Sequence, residues 1–211
     1  MGCLPPTTGG FRIETEEGLT VRVLVGCEFS GIVRDAFRAR GHDAWSCDLL
    51  PNERGGPHII GDVRDYLGSG WDMFIQFAPC TYSANSGVRW LYNSKGVKVL
   101  SRWRNMRSGA ELFNYLMRVD IPRICGENPV PHRYAREIMG CYTQIIQPWQ
   151  FGHGETKKTC LWLKRLPELK PTKVVSGRTP RVHLCSPGTG RWKERSRTLQ
   201  GIADAMAAQW G

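Results

Sequence analysis

Residues 75–87 read IQFAPCTYSANSG, in which an apolar run ends on Pro79 and Cys80 follows at once, with small and hydroxylated residues behind it. Proline fixes its own φ and restricts the residue before it, so this thiol sits on a stiff turn. The thiolate is the nucleophile, a free thiol has a pKa of about 8.5, and a nearby cation such as Arg89 would enrich the reactive form. The rival reading is an inert buried cysteine, the usual fate of this residue type. A second candidate is ENPVP, where Glu127 and Asn128 stand at the end of the strand-like RICGE. A carboxyl there can hydrogen-bond the edge of a nucleobase and hold a proton at a ring nitrogen, or simply cap a helix before Pro129. A third is GCEFSG (26–31), whose Gly26 and Gly31 let backbone approach a ligand ahead of a helix N-terminus. Glycines in that place are also ordinary turn residues. Asp48 is placed to accept from ribose hydroxyls, and Asp62 adds a further contact. Together these three strand-end features point to a nucleoside-bearing cofactor. Neither the Cys-x5-Arg phosphatase pattern nor a Gly-x-Ser-x-Gly nucleophile elbow occurs.

The elements that must hold these residues alternate. VRVLV (21–25) reads as a buried strand, followed by a helix over about 30–40 with Ile32, Val33, Ala36 and Phe37 on one face and Gly41 at its end. Further strands are expected at 43–50, 58–62, 71–77, 123–127, 143–147 and 158–163, with helices over about 105–118, 132–139 and 202–209. Strand and helix in alternation imply an α/β fold with a doubly wound, mostly parallel sheet, because a parallel pair needs a crossover connection. In such sheets ligands bind beyond the carboxyl ends of the strands. The Pro-, Gly- and Thr-rich stretch 1–19 reads as a loose arm, and 20–211 as a single domain.

The chain has 211 residues, a size for one domain. No apolar run approaches the roughly 20 residues that span a bilayer, and the start lacks a secretory signal, so no membrane association is expected. The eight cysteines include no Cys-x-x-Cys pair, which argues for reduced thiols in the cytoplasm and against a structural metal. A net charge of +10 points to a polyanionic partner. Six basic residues (Arg89, Lys95, Lys98, Arg102, Arg104, Arg107) lie between 85 and 107 with no acid, interleaved with Trp90, Tyr92 and Trp103; six more lie between 178 and 197 against Glu194 alone. Aromatic interleaving favours nucleic acid over a merely solvated face.

The order of these motifs resembles the DNA cytosine-5 methyltransferase family, in the short form found in phages. FSG (29–31), Asp48 and GD (61–62) look like that family's cofactor motifs, APCTYSANSG like its Pro-Cys catalytic loop and ENP like its Glu-Asn-Val motif. FGHGETKKTCLWL (151–163) resembles the segment with its Gln-x-Arg-x-Arg signature, and RSRTLQGIADAMAAQWG its closing motif. The resemblance implies a Rossmann-like domain that binds S-adenosyl-L-methionine through Gly26, Glu28, Phe29, Ser30, Gly31, Asp48, Asp62, Pro79 and Gly201. It implies Cys80, Glu127, Asn128 and Lys157 as the catalytic set, and nucleic-acid contacts from Ser83, Lys158 and the basic run 89–107. Cys80 would add to C6 of cytosine while Glu127 binds N3 and the exocyclic amine, with the base flipped from a duplex or supplied single-stranded.

The chain departs from that pattern at several positions. Val33 and Arg34 stand where glycines are common, Ala78 replaces a proline, Pro129 a valine, and Glu155, Lys157 and Thr159 occupy the Gln-x-Arg-x-Arg positions. Residues 164–194 are a reduced connection in place of a target-recognition domain, so low sequence specificity on DNA is expected, in a bacterial host's cytoplasm if the chain is phage-encoded. A cytosine methyltransferase acting on RNA or on a cytidine nucleotide, and a catalytically silent nucleic-acid-binding protein, are the alternatives.

Overall fold

The computed structural model describes residues 14–15, 18–185 and 188–211. Most of the expected N-terminal arm, Cys3 included, lies outside the described residues; within it, β1 (Glu14–Thr15) pairs antiparallel with β2 (Gly18–Leu19). There follow β3 (Arg22–Gly26), α1 (Ile32–Arg38), β4 (Asp43–Asp48), β5 (His58–Ile60) and β6 (Met73–Gln76). Next come α2 (Leu100–Met117), β7 (Arg123–Pro129), α3 (Arg133–Met139), β8 (Gln144–Ile146) and β9 (Thr159–Lys164). The chain closes with α4 (Arg181–Leu184), α5 (Arg191–Ser196) and α6 (Gln200–Trp210), and short 3-10 turns occupy Val63–Tyr66, Asn85–Leu91 and Pro148–Gln150.

Seven strands form one sheet in the order β5-β4-β3-β6-β7-β9-β8. The protein is α/β, with the doubly wound, mostly parallel sheet expected from the sequence. Both faces of the sheet are buried, so the alternation of side chains along each strand separates two cores. Val23, Val25, Met73, Ile75 and Leu161 face α1 and α6, whereas Leu24, Phe74, Ile124, Cys160 and Trp162 face α2 and α3. This is why the strands read as near-continuous apolar runs.

One strand runs against the others. β9 is antiparallel to both β7 and β8, with Pro129 opposite Thr159 and Glu127 opposite Leu161. The start of β9 therefore lies beside the end of β7, which brings the residues just before β9 to the same edge as those just after β6.

Helix α2 begins at Leu100, five residues before the start expected from the apolar pattern. Its first turn carries Arg102, Trp103 and Arg104, and no acid lies there to complement the helix dipole. What holds that turn is the packing of Trp103 on Tyr134 and Tyr92, with ring centroids 4.7 and 5.8 Å apart. The turns α4 and α5 fall in the stretch whose proline and glycine content indicated only a connection.

Candidate active site

Strand β6 ends in Gln76, fully buried between β3 and β7. Its Oε1 accepts from the Ala78 amide at 3.1 Å, and the Phe77 amide donates to the Gly26 carbonyl at 2.9 Å, so the chain leaves the sheet in a fixed direction. Gly26 and Gly126 flank Gln76 on the neighbouring strands. A Cβ at Gly26 would stand 2.7 Å from Phe74, and one at Gly126 2.7 Å from Met117 and Phe113. Both glycines serve strand–core packing.

The turn after Pro79 closes on the Cys80 carbonyl, which accepts from the amides of Ser83 and Ala84 at 3.2 and 3.0 Å. It is then stitched to the chain leaving β7. The Ser83 hydroxyl stands 3.0 Å from Asn128 Oδ1, the His132 amide donates to the Ser83 carbonyl at 3.0 Å, and the Asn85 amide to the Val130 carbonyl at 2.8 Å. His132 accepts from the Ala135 amide through Nδ1, which leaves Nε2–H to donate to the Tyr82 carbonyl at 2.9 Å. Asn128 and Ser83 are both almost fully buried. Ser83, expected among the nucleic-acid contacts, is placed in the framework of the loop; Asn128 holds the loop to β7.

Cys80 is partly exposed, as is Glu127 at the end of the adjacent strand. Burial raises the Cys80 pKa and the charge of Glu127 raises it further, while Lys157 and Arg195 pull it down. Glu127 is also raised by burial, opposed by Lys157 and by a hydrogen bond from Thr159. By contrast Cys27, Cys47 and Cys160 are pushed up to about 12, chiefly by desolvation. Lys157 and Thr159 arrive at the start of β9, and a narrow cleft there is lined by Phe77, Glu127, Lys157, Thr159, Thr198, Leu199, Ile202 and Met206. Arg89, the cation expected beside the thiol, instead lies over the Trp90 ring. Lys157 takes that part, with a smaller contribution from Arg195, whose only signal in the sequence was membership of the second basic run.

The loop between β3 and α1 carries the remaining expected groups. Glu28 is 5% exposed, and its Oε1 accepts from Ser30 Oγ at 3.0 Å and from the Val33 amide at 2.9 Å. Among the described residues its Oε2 is buried without a partner, and desolvation lifts the carboxyl to about 7. Gly31 caps α1 with φ 70°, a left-handed conformation that favours glycine. Arg34 is wholly buried and reaches Ser46 Oγ at 3.0 Å and the Pro57 carbonyl at 3.3 Å, tying α1 to β4 and the loop after it. Nothing local in the sequence signals that burial.

Asp48 stands at the end of β4 with Oδ1 accepting from the Leu50 amide at 2.9 Å, and desolvation raises its pKa. Asp62 caps a 3-10 turn and pairs with Arg64, whose Nε donates to it at 2.9 Å. Phe29 is covered by Trp192 of α5, with ring centroids 5.7 Å apart. Pro79 is exposed. Gly201 opens α6 against Phe151, whose carbonyl oxygen would collide with a Cβ, and its amide donates to His153 Nε2 at 2.9 Å; close packing accounts for this glycine.

Helix α5 lies over this edge, where Lys193 stands 5.8 Å above the Phe29 ring. Besides the Phe29–Trp192 pair, Arg197 makes a two-pronged bond to Glu53 at 2.9 Å for each oxygen, and Lys157 Nζ donates to the Arg195 carbonyl at 3.0 Å. Lys158 is exposed, as are Arg89, Lys95, Lys98, Arg104 and Arg107, while Arg102 is half-buried. Among the described residues no group of three or more His, Cys, Asp or Glu is placed to hold a metal, and no helix is long and apolar enough to cross a membrane.

No protein-family model and no curated protein sequence matches the chain. Among solved structures it is similar to a protein described as a DNA modification methyltransferase encoded within an E. coli prophage, at 14% identity and a TM-score of 0.45, over 74% of this chain and 52% of that one. It is likewise similar to the S. pombe Dnmt2 methyltransferase, at 16% identity and a TM-score of 0.44, over 78% of this chain and 54% of that one. The chain thus spans about half the length of these structures. Likeness this distant says nothing about activity, which must be read from the site itself.

Proposed function

We propose that this chain is a methyltransferase that uses S-adenosyl-L-methionine to methylate C5 of cytosine in DNA with little sequence selectivity. The observation that carries the reading is the placement of Cys80 just past the end of β6 and of Glu127 near the end of the adjacent parallel β7, where the Glu127 charge raises the Cys80 pKa and Lys157 acts on both. The cofactor fits the loop after β3. Glu28 Oε2 is a buried acceptor without a donor, and Asp48 stands at the next strand end. Glu28, Gly31 and Asp48 would hold S-adenosylmethionine, which when bound supplies an electrophilic methyl group.

The chain's own residues then act in order. Cys80 is held against the target ring, and its thiolate adds to C6, which makes C5 nucleophilic. Glu127, its carboxyl raised by burial, hydrogen-bonds the ring nitrogen and the exocyclic amine as negative charge develops on the ring. Lys157 offsets the charge of the carboxylate and the thiolate alike. Once C5 carries the methyl, water takes the C5 proton, and the electrons of that C–H bond restore the double bond and expel the Cys80 thiolate. Residues 164–194 replace a larger recognition region within this single domain, which supports low selectivity.

Supplying S-adenosylmethionine with duplex DNA, single-stranded DNA, RNA or dCMP and quantifying 5-methylcytosine by mass spectrometry tests the reading. DNA is expected to be methylated, with Cys80→Ala reducing transfer by at least about a thousandfold and leaving the melting temperature unchanged. Methyl transfer that survives in Cys80→Ala would overturn the mechanism, and preference for RNA or dCMP would overturn the substrate.

A further inference from the structure

We infer that the surface leading away from Cys80 is a track for single-stranded DNA, with Trp90 as a platform for an unpaired base. The inference rests on the proposed function and deepens it by naming the form of the substrate. The 3-10 turn Asn85–Leu91 buries Leu91 to 2% exposure and leaves Trp90 51% exposed. Half an indole in water forgoes a favourable burial, so its outward position calls for a partner.

The ring is part of a row. Arg89 lies over Trp90 at 4.5 Å, Arg102 over Trp90 at 5.8 Å, and the same Arg102 over Tyr82 at 5.9 Å. Aromatic and guanidinium groups thus alternate outward from Tyr82, two residues beyond Cys80. A guanidinium lying on a ring keeps the donors at its edge free for phosphate. Among the described residues none of Arg89, Lys95, Lys98, Arg102, Arg104 and Arg107 has a carboxylate partner, so this charge is available to a polyanion.

Duplex and single strand would use such a row differently. A duplex hides the faces of its bases and offers phosphates, which engage arginines and leave the indole idle. A strand with unstacked bases engages both, and stacking of this kind tolerates any sequence. Because the row starts beside the nucleophile, bases adjoining the target cytosine lie along it, and a single strand needs no base pair broken to deliver that cytosine.

The experiment is fluorescence anisotropy with one labelled oligonucleotide sequence as single-stranded DNA, duplex DNA and RNA, without methyl donor. Wild type is expected to bind the single strand about tenfold more tightly than the duplex, and Trp90→Ala to lose about tenfold on the single strand and less than about twofold on the duplex. Trp90→Phe, which keeps a stacking face, should retain most of the affinity, and Trp90→Leu, which keeps apolar bulk without a flat ring, should show the same selective loss on the single strand should Trp90→Ala fail to fold. Equal losses on both DNA forms, no loss at all, or tighter binding of RNA would overturn the inference. Because no turnover is involved, the two readings can fail separately. An intact single-strand preference with no methyl transfer sinks the proposed function, and duplex methylation with no such preference sinks the track alone.

Discussion

The two basic runs carry the same count of charge, six positive residues each, yet the fold uses them in opposite ways. The first, between 85 and 107, points its charge outward, where its cations meet aromatic faces and no acid. The second, between 178 and 197, is largely engaged by groups of the protein itself. Arg181 pairs with Glu155 at 2.9 Å, Arg197 grips Glu53, Arg178 covers Trp149 at 4.1 Å, and Arg195 bears on Cys80. A count of charges does not distinguish a binding face from an internal framework; what separates them is whether carboxylates stand within reach once the chain has folded.

The contrast breaks most visibly at Arg195. Arg195→Ala is expected to lower kcat by about a hundredfold at neutral pH while leaving oligonucleotide affinity within about twofold. The pH profile carries the sign. Cys80 reacts as thiolate and its pKa is already raised, so the rate climbs with pH through a point above the ordinary thiol value. Removing a cation that lowers that pKa moves the point further up in Arg195→Ala, and leaves it in place in Arg104→Gln.

A smaller effect sharpens the other side. Arg104→Gln with Arg107→Gln should weaken DNA binding by about tenfold, with the deficit appearing in KM. The slope of log affinity against log salt should fall by roughly one for each phosphate no longer neutralised. If these two substitutions reduce kcat and spare binding, the assignment of the runs is reversed. The smallest effect concerns the Glu53–Arg197 pair, which is substantially exposed, so Glu53→Gln should cost well under about 1 kcal/mol. Arg197 depresses the Glu53 pKa. The pair's contribution is therefore present above the unfolded carboxyl value and is lost as pH falls through the folded one, so thermal melts of wild type and Glu53→Gln should converge in acid.

Much of the sheet was legible because strands buried on both faces are written as unbroken apolar runs between turn residues. The meeting of Cys80 with Glu127 followed from the same logic, since residues after successive parallel strands share an edge. Other features were hidden for physical reasons. The direction of β9 depends on which gap in the sheet a strand fills, and nothing local in TCLWLK encodes it. Arg34 looks like an exposed helical cation until the loop after β4 folds over it. Ser83 reads as a surface hydroxyl because its partner Asn128 is 45 residues away. The covering of Phe29 by Trp192 joins opposite ends of the chain and leaves no periodic trace.

The resting state of the Cys80 sulfur also governs how the protein ages. Peroxides and alkylating reagents attack thiolates on accessible sulfurs, and Cys80 is kept in its protonated form by desolvation and a neighbouring carboxylate. Cys141 is the exposed thiol among the described cysteines. Oxidative damage is therefore expected to mark Cys141 first, so a preparation can accumulate sulfenylated or disulfide-linked molecules through that residue while its nucleophile stays intact.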